Sequence, residues 1–124
     1  MIERLPELVN GDAALVRRGR YFTDVFMIEV GDVQYLVHVR QGRIEEVERG
    51  PFVMRSWRFA VRASADIWDR FWQKLPDPGY HDIFALLHKG EIAFDGDLQP
   101  MMANLLYVKA VIAAPRMLAA GKAS

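Results

Sequence analysis

The sequence predicts an α+β domain: a five-stranded, mainly antiparallel sheet covered on one face by helices. Three observations carry this expectation. From Thr23 to Ala63 apolar residues recur with a period of two, in segments parted by turn signals. From Ala65 to Ala114 they recur at helical spacing, interrupted by one more strand-like segment, Glu91–Asp95. Strands joined by short turns pair antiparallel and leave an apolar face, and the helical half of the chain is there to cover it.

The chain opens with brief helices, Leu5–Val9 ending near Asn10-Gly11 and a turn or two at Asp12–Arg18. Thr23–Val30 is the first strand, with Phe26, Ile28 and Val30 on one face and Val25, Met27 and Glu29 on the other. Gly31-Asp32 signals a turn into Val33–Arg40, where Val33, Tyr35, Val37 and Val39 share a face. Gln41-Gly42 is a second tight turn, into Arg43–Arg49, whose charges suit an edge. After the break at Gly50-Pro51, Val53–Ala63 reads as a long fourth strand, with Val53, Trp57, Phe59 and Val61 inward and Arg58 and Arg62 outward. Four strands in succession through short connections predict an antiparallel meander.

Ser64 is a good N-cap for a helix over Ala65–Lys74, with Asp66 in its first turn and Ile67, Trp68, Phe71, Trp72 and Leu75 as its stripe. Pro76, Pro78 and Gly79 end it. His81 or Asp82 opens the next helix, with Ile83, Phe84 and Leu87 inward and Gly90 as the stop. Ile92 and Phe94 share a face of the fifth strand. One last helix is expected over Leu98–Ala114, its stripe being Leu98, Met101, Met102, Leu105, Val108 and Ile112, and Pro115 ends it.

The 124 residues suit one domain, with 1–20 as a short helical N-terminal segment and 115–124 as a frayed tail. Hydrophobic residues make up 52% of the chain, enough for a real core. Sixteen basic and sixteen acidic side chains cancel, which removes the footprint of a general nucleic-acid binder. There are 0 cysteines, so disulfides, thiol nucleophiles and thiolate metal sites are excluded. The opening MIERLPELVNGD has no apolar signal core, and no apolar run approaches the roughly 20 residues needed to cross a bilayer. A soluble, cytoplasmic protein is expected.

Little in the sequence reads as catalysis or metal binding. His81 and His88 stand seven residues apart on one helix, about 10 Å in space, too far to share an ion, and His38 lies on a strand face with Arg40. Asp95-Gly96-Asp97 invites a metal loop or a catalytic carboxylate pair. With Ile92 and Phe94 facing the core, however, Glu91 and Asp95 face water, and Asp97 stands where a helix begins. If Asp97 is the cap, Pro100 has no N–H to offer and the capping bond goes to Gln99; the alternative start puts Pro100 first and leaves Gln99 as a poor cap. Ser56, Ser64 and Ser124 lie in no nucleophile-elbow context, and no glycine-rich phosphate loop is present. No catalytic residue, metal or cofactor is therefore assigned. Arg17, Arg18 and Arg20 form a small basic cluster, read as a solvated segment end or as a contact to anionic lipid.

Large apolar side chains are concentrated in the covering half, where Trp68, Phe71, Trp72, Phe84, Phe94, Met101 and Met102 face Phe26, Ile28, Trp57 and Phe59. Such residues make either an ordinary core or an adaptable pocket. The order of these elements resembles the sterol carrier protein 2 domain. FALLHKGEIAFDGDLQPMMANLL, Phe84–Leu106, is similar to that family's closing motif of helix, glycine, short strand, Gly-Asp and apolar helix. IEVGDVQYLVHVRQGRIEEV, Ile28–Val47, resembles its hairpin pair, and RFAVRASADIWDRFW, Arg58–Trp72, its strand running into the first covering helix. The N-terminal helix is shorter than the family's, and Gly-Lys-Ala-Ser at the end is not the peroxisomal Ser-Lys-Leu, so a bacterial stand-alone relative is expected.

The resemblance implies an apolar tunnel between sheet and helices and non-catalytic binding or transfer of a sterol, fatty acid, acyl-CoA or other lipid. It implies a lining at Phe26, Ile28, Trp57, Phe59, Trp68, Phe71, Phe84, Leu87, Met101, Met102 and Leu105. Two rival readings stay open. One is a small enzyme in the same cavity, with Asp95, His81 or His88 reaching inside. The other is an accessory or homodimerising module that meets a quinone- or lipid-pathway enzyme or a membrane through an exposed Val25/Met27 face or the Leu105–Ala120 end.

Overall fold

A computed structural model describes residues 2–118. A 3₁₀ turn, Ile2–Arg4, leads into α1 (Leu5–Asn10) and α2 (Ala13–Arg18), and the Asp12 carboxylate caps α2 by accepting the Leu15 N–H at 3.2 Å. Three strands follow: β1 (Asp24–Val30), β2 (Val33–Arg40) and β3 (Arg43–Arg49). They pair antiparallel through the two tight turns. At the second turn Gln41 (φ 49°) and Gly42 (φ 81°) are both left-handed, the pattern of a two-residue hairpin turn. A Cβ on Gly42 would sit 2.4 Å from the Val16 carbonyl, so only glycine brings this turn against α2.

The antiparallel meander stops at three strands. The fourth, β4, spans only Phe59–Ala63 and pairs parallel with β1, giving the order β3-β2-β1-β4-β5. The physical reason lies in the side chains. Phe26, Met27 and Ile28 of β1 and Phe59, Ala60 and Val61 of β4 are buried on both faces of their strands, as parallel central strands require, whereas the charged β3 suits an edge. Residues 50–58, expected as a turn and the start of a strand, instead cross the sheet face away from the helices. Val53 is therefore exposed rather than inward, and Trp57 lies on the opposite face from Phe59, packed with Val25 and Phe52 over Met27, Leu36 and Ala60. Met27 is only 2% exposed, so the free Val25/Met27 face does not exist.

The other face carries the helices: α3 (Ala65–Phe71), α4 (Ile83–His88), α5 (Gln99–Ala103) and α6 (Leu105–Ala113), with β5 (Ile92–Gly96) paired antiparallel to β4. Ser64 caps α3 as expected, its hydroxyl accepting the Ile67 N–H at 3.2 Å. The helix ends at Phe71, before Leu75, which is exposed because the chain has already turned toward Pro76. The expected single last helix is two. Asn104 leaves helical geometry (φ −125°, ψ 36°), and its side-chain amide donates to the Pro100 carbonyl at 3.1 Å. That break re-phases the stripe, so Tyr107, Val108, Val111 and Ile112 face the core while Met102 and Leu106 face out.

Candidate functional site

The layer between sheet and helices is where the expected lining residues fall. Phe26, Ile28, Phe59, Trp68, Phe71 and Met101 meet there, fully or almost fully buried. Phe26 and Phe59 come from neighbouring parallel strands and stack with ring centres 5.0 Å apart and planes 5° from parallel. Trp68 stacks on Trp72 at 4.8 Å and meets the Phe71 ring edge-on at 5.7 Å. Phe84 is half-buried, its ring edge-on to Phe94 at 5.5 Å. The rest depart from expectation. Leu87 and Leu105 are half-buried, because α4 turns Leu86 inward and the break at Asn104 turns Tyr107 inward. Met102 is about half exposed and Trp57 is on the wrong face.

Phe22 and Tyr107 are the members that sequence reasoning missed. Phe22 precedes the first strand and belongs to no periodic segment, yet its ring touches Phe26, Phe59 and Tyr107. Asn104, a residue that competes for backbone bonds inside helices, was the available signal for Tyr107. Its hydroxyl donates to the Gly42 carbonyl at 2.7 Å, and burial pushes its pKa well up, so it stays a neutral donor. These rings pack against one another in the layer, and among the described residues no polar or charged residue is buried.

Polar straps hold the cover at its rim. Trp68 Nε1 donates to the Glu29 carbonyl and Trp72 Nε1 to the Ile112 carbonyl, both at 2.8 Å, tying α3 to the sheet and to α6. Arg116, expected in a frayed tail, is docked. It donates to the carbonyls of Phe71 (2.7 Å), His81 (2.9 Å) and Tyr80 (3.1 Å), with its guanidinium 4.3 Å from the Phe71 ring centre. Burial lowers its pKa, and the Asp82 charge opposes that. Residues 119–124 of the expected tail lie outside the described residues. Lys109 Nζ donates to Asp82 Oδ2 at 2.8 Å, while Asp82 Oδ1 accepts the Phe84 N–H at 2.9 Å and caps α4. Burial pushes the Asp82 carboxyl up, but these bonds outweigh it and hold it below the ordinary value. Between the straps a cleft of about 230 Å³ opens onto Phe71 and Ile83, bordered by Ala110 and Ala113 of α6.

The acidic stretch after α4 does not form a reactive pair. Asp97 Oδ1 accepts the Gln99 N–H at 3.1 Å, the bond expected if Asp97 caps. Asp95 is exposed, 3.5 Å from Arg62. Glu91 is not on a wet strand face. Its N–H bonds the Leu86 carbonyl, so it belongs to the turn after α4 and does not share the strand's alternation, and its Oε2 is covered without a hydrogen-bond partner among the described residues. His81 and His88 are exposed, and among the described residues neither belongs to a group of three or more potential metal ligands. His38 is different. With Glu46 and Glu48 of β3 it forms a cluster whose ligand atoms lie within 4.8 Å of one another. Sequence reasoning searched for paired histidines and did not set β3 against β2 there. Arg55 and then His38 bond Glu48 and pull its pKa down, so a cation would have to displace Arg55. On the same outer face Arg58 bridges Asp24 (2.9 Å) and Asp97 (3.8 Å) beside an open cleft of about 420 Å³ that Trp57 lines.

No family model and no curated protein matches this chain. Solved structures do. A crystal structure of sterol carrier protein 2 superposes with a TM-score of 0.74 at 11% identity, over 93% of this chain and 92% of that one. Sterol carrier protein domain 2 of Helicoverpa armigera matches with 0.62 at 13% identity, over 90% and 84%. A structure described as UbiJ-SCP2, a ubiquinone synthesis protein, matches with 0.59 at 18% identity, over 94% and 88%. At these identities the likeness is one of fold, and the fold is that of sterol carrier protein 2.

Proposed function

We propose that this chain, built on the sterol carrier protein 2 fold, binds an apolar, lipid-like molecule between its sheet and its helical cover and performs no reaction on it. The observation that carries the reading is the composition of that layer: aromatic and aliphatic side chains throughout, with no buried polar or charged residue among those described. Such a layer offers dispersion contacts and escape from water and nothing to polarise a bond. Each buried methylene contributes about 0.8 kcal/mol, so ten contribute about 8 kcal/mol before ordering costs, enough for micromolar binding without a charged contact.

The rings pack against one another, so in this reading a ligand takes the place of ring contacts as the cover moves outward. In this reading the mouth is the cleft over Phe71 and Ile83, with the Lys109–Asp82 and Arg116 straps as its latch. Apparent affinity is then the intrinsic affinity reduced by the fraction of molecules whose cover is open. Titration with a fluorescent fatty acid and a fluorescent sterol tests this. At least one binds saturably, and Ala113→Phe, which fills the cleft from a half-buried position, weakens that binding about tenfold, or 1.4 kcal/mol, with little change in Tm. Absence of saturable binding by both probes, or binding indifferent to Ala113→Phe, contradicts the reading.

A second reading, an accessory role in quinone synthesis, is favoured by one observation, the shared fold with the UbiJ-SCP2 structure. It predicts that a polyprenyl quinone is extracted from the purified protein in preference to fatty acid or sterol. The small-enzyme reading loses support, because Asp95, His81 and His88 all face solvent.

A further inference from the structure

On the sheet face away from the helical cover, β2 and β3 bring one imidazole and two carboxylates together. The register sets His38 of β2 directly across from Glu46 of β3 and Leu36 across from Glu48, so Glu48 stands diagonal to His38 on the same face. The ladder shifts register immediately after His38, an irregularity of the kind that re-aims side chains. His38 Nε2 lies 3.2 Å from Glu48 Oε2, and one ligand atom from each of the three residues lies within 4.8 Å of the others. Metal bonds of about 2.0–2.2 Å set neighbouring ligand atoms about 3–4 Å apart, so the group closes on an ion by about 1 Å. Glu46 is exposed, and its side chain has room for that shift.

The cluster already holds a cation, the Arg55 guanidinium, which pairs with Glu48. Arg55 belongs to the segment 50–58 that crosses this face. The ends of the segment are pinned: the Gly50 N–H donates to the Gln34 carbonyl and the Arg58 N–H to the Val25 carbonyl, both at 2.7 Å. Between them Phe52 and Trp57 pack over Met27, Leu36 and Ala60, while Val53 and Met54 are 81% and 98% exposed. The Arg55–Glu48 pair is the charged tie that holds the middle of this strap to β3.

We propose that His38, Glu46 and Glu48 bind one divalent transition-metal ion of the zinc type, and that the ion takes Glu48 from Arg55 and so loosens the strap. The donor set selects the ion. Imidazole suits zinc and its transition-metal neighbours, whereas magnesium and calcium take oxygen ligands. Two carboxylates and a neutral imidazole balance a divalent charge, and three protein ligands leave a position for water. The guanidinium engages Glu48, but an ion engages all three groups at once. Once Arg55 is released, the middle of the strap rests on the packing of Phe52 and Trp57. The site lies on the opposite side of the sheet from the helices and stands independently of what the interior binds.

Calorimetric titration of the metal-free full chain with zinc chloride at neutral pH tests it. One ion binds per chain, and magnesium in large excess does not compete. His38→Gln and Glu48→Gln each weaken zinc binding about tenfold or more, the loss that removal of even a ligand's supporting partner causes. Apparent affinity is reduced by the fraction of molecules whose Glu48 is free of Arg55, so Arg55→Ala strengthens zinc binding about threefold or more. A misfolded variant cannot produce that gain. His81→Gln/His88→Gln leaves binding unchanged. Hydrogen exchange across residues 51–57 quickens when zinc is added, and in Arg55→Ala it is already quick without zinc. Zinc binding that is absent or no tighter than millimolar in the wild type, that falls in the His81/His88 variant, that survives Glu48→Gln, or that Arg55→Ala does not strengthen overturns the proposal, as does exchange across 51–57 that zinc leaves unchanged.

Discussion

Asp82 serves two elements with one carboxylate: one oxygen caps α4 and the other holds Lys109 of α6. Asp82→Asn keeps a capping side chain and removes the charge, so it isolates the strap. The pair is partly exposed, and its loss costs about 0.5–1 kcal/mol at neutral pH. The folded pKa lies below the ordinary value, so this stability is present above the unfolded pKa and is lost as pH falls through the folded one. Melting temperatures of wild type and variant therefore differ at pH 7 and converge as pH falls below the folded pKa; a gap independent of pH contradicts the assignment. Tyr107 carries a second single-residue prediction. Tyr107→Phe removes the donor to the buried Gly42 carbonyl and lowers stability by about 1–2 kcal/mol in denaturant titration.

At the scale of elements, what was legible depended on whether local chemistry decided the outcome. The hairpins were readable because two-residue turns and alternation agree. The cap at Ser64 and the Asp97–Gln99 bond were readable because few side chains can satisfy those N–H groups. The parallel pairing of β4 was not, since both registers place Phe59 and Val61 inward and only competition between β1 and β3 for a doubly apolar neighbour decides it. Trp57 was misplaced for the same reason, its parity being that of a strand that starts two residues later. Of the residues expected as a lining, Phe26, Ile28, Phe59, Trp68, Phe71 and Met101 were legible as core, yet periodicity does not distinguish packed rings from walls of a cavity. At the β4–β5 corner Gly96 has φ 85°, and a Cβ there would lie 2.6 Å from the Arg58 carbonyl. Gly96→Ala is predicted to cost at least about 1–3 kcal/mol, and Ser64→Ala about 1 kcal/mol, both read from chemical denaturation.

At the scale of the whole molecule, the architecture separates its tasks. Charged pairs crowd the outer sheet face, and the apolar layer lies beneath a cover of short helices tied by a few side-chain straps. A cover of helices five to nine residues long has little stability of its own and depends on the layer it packs on. That is the condition for a ligand to exchange with ring contacts. The chain has 3 tryptophans, and Trp57 is the one on the outer face. In Trp57→Phe, fluorescence comes from Trp68 and Trp72 alone, both inside the layer. Titration of that variant with an unlabelled long-chain lipid is predicted to give a saturable change in emission, with the same midpoint as probe displacement. Saturable binding that leaves Trp68 and Trp72 unchanged, or no binding at all, would contradict a ligand layer between sheet and cover.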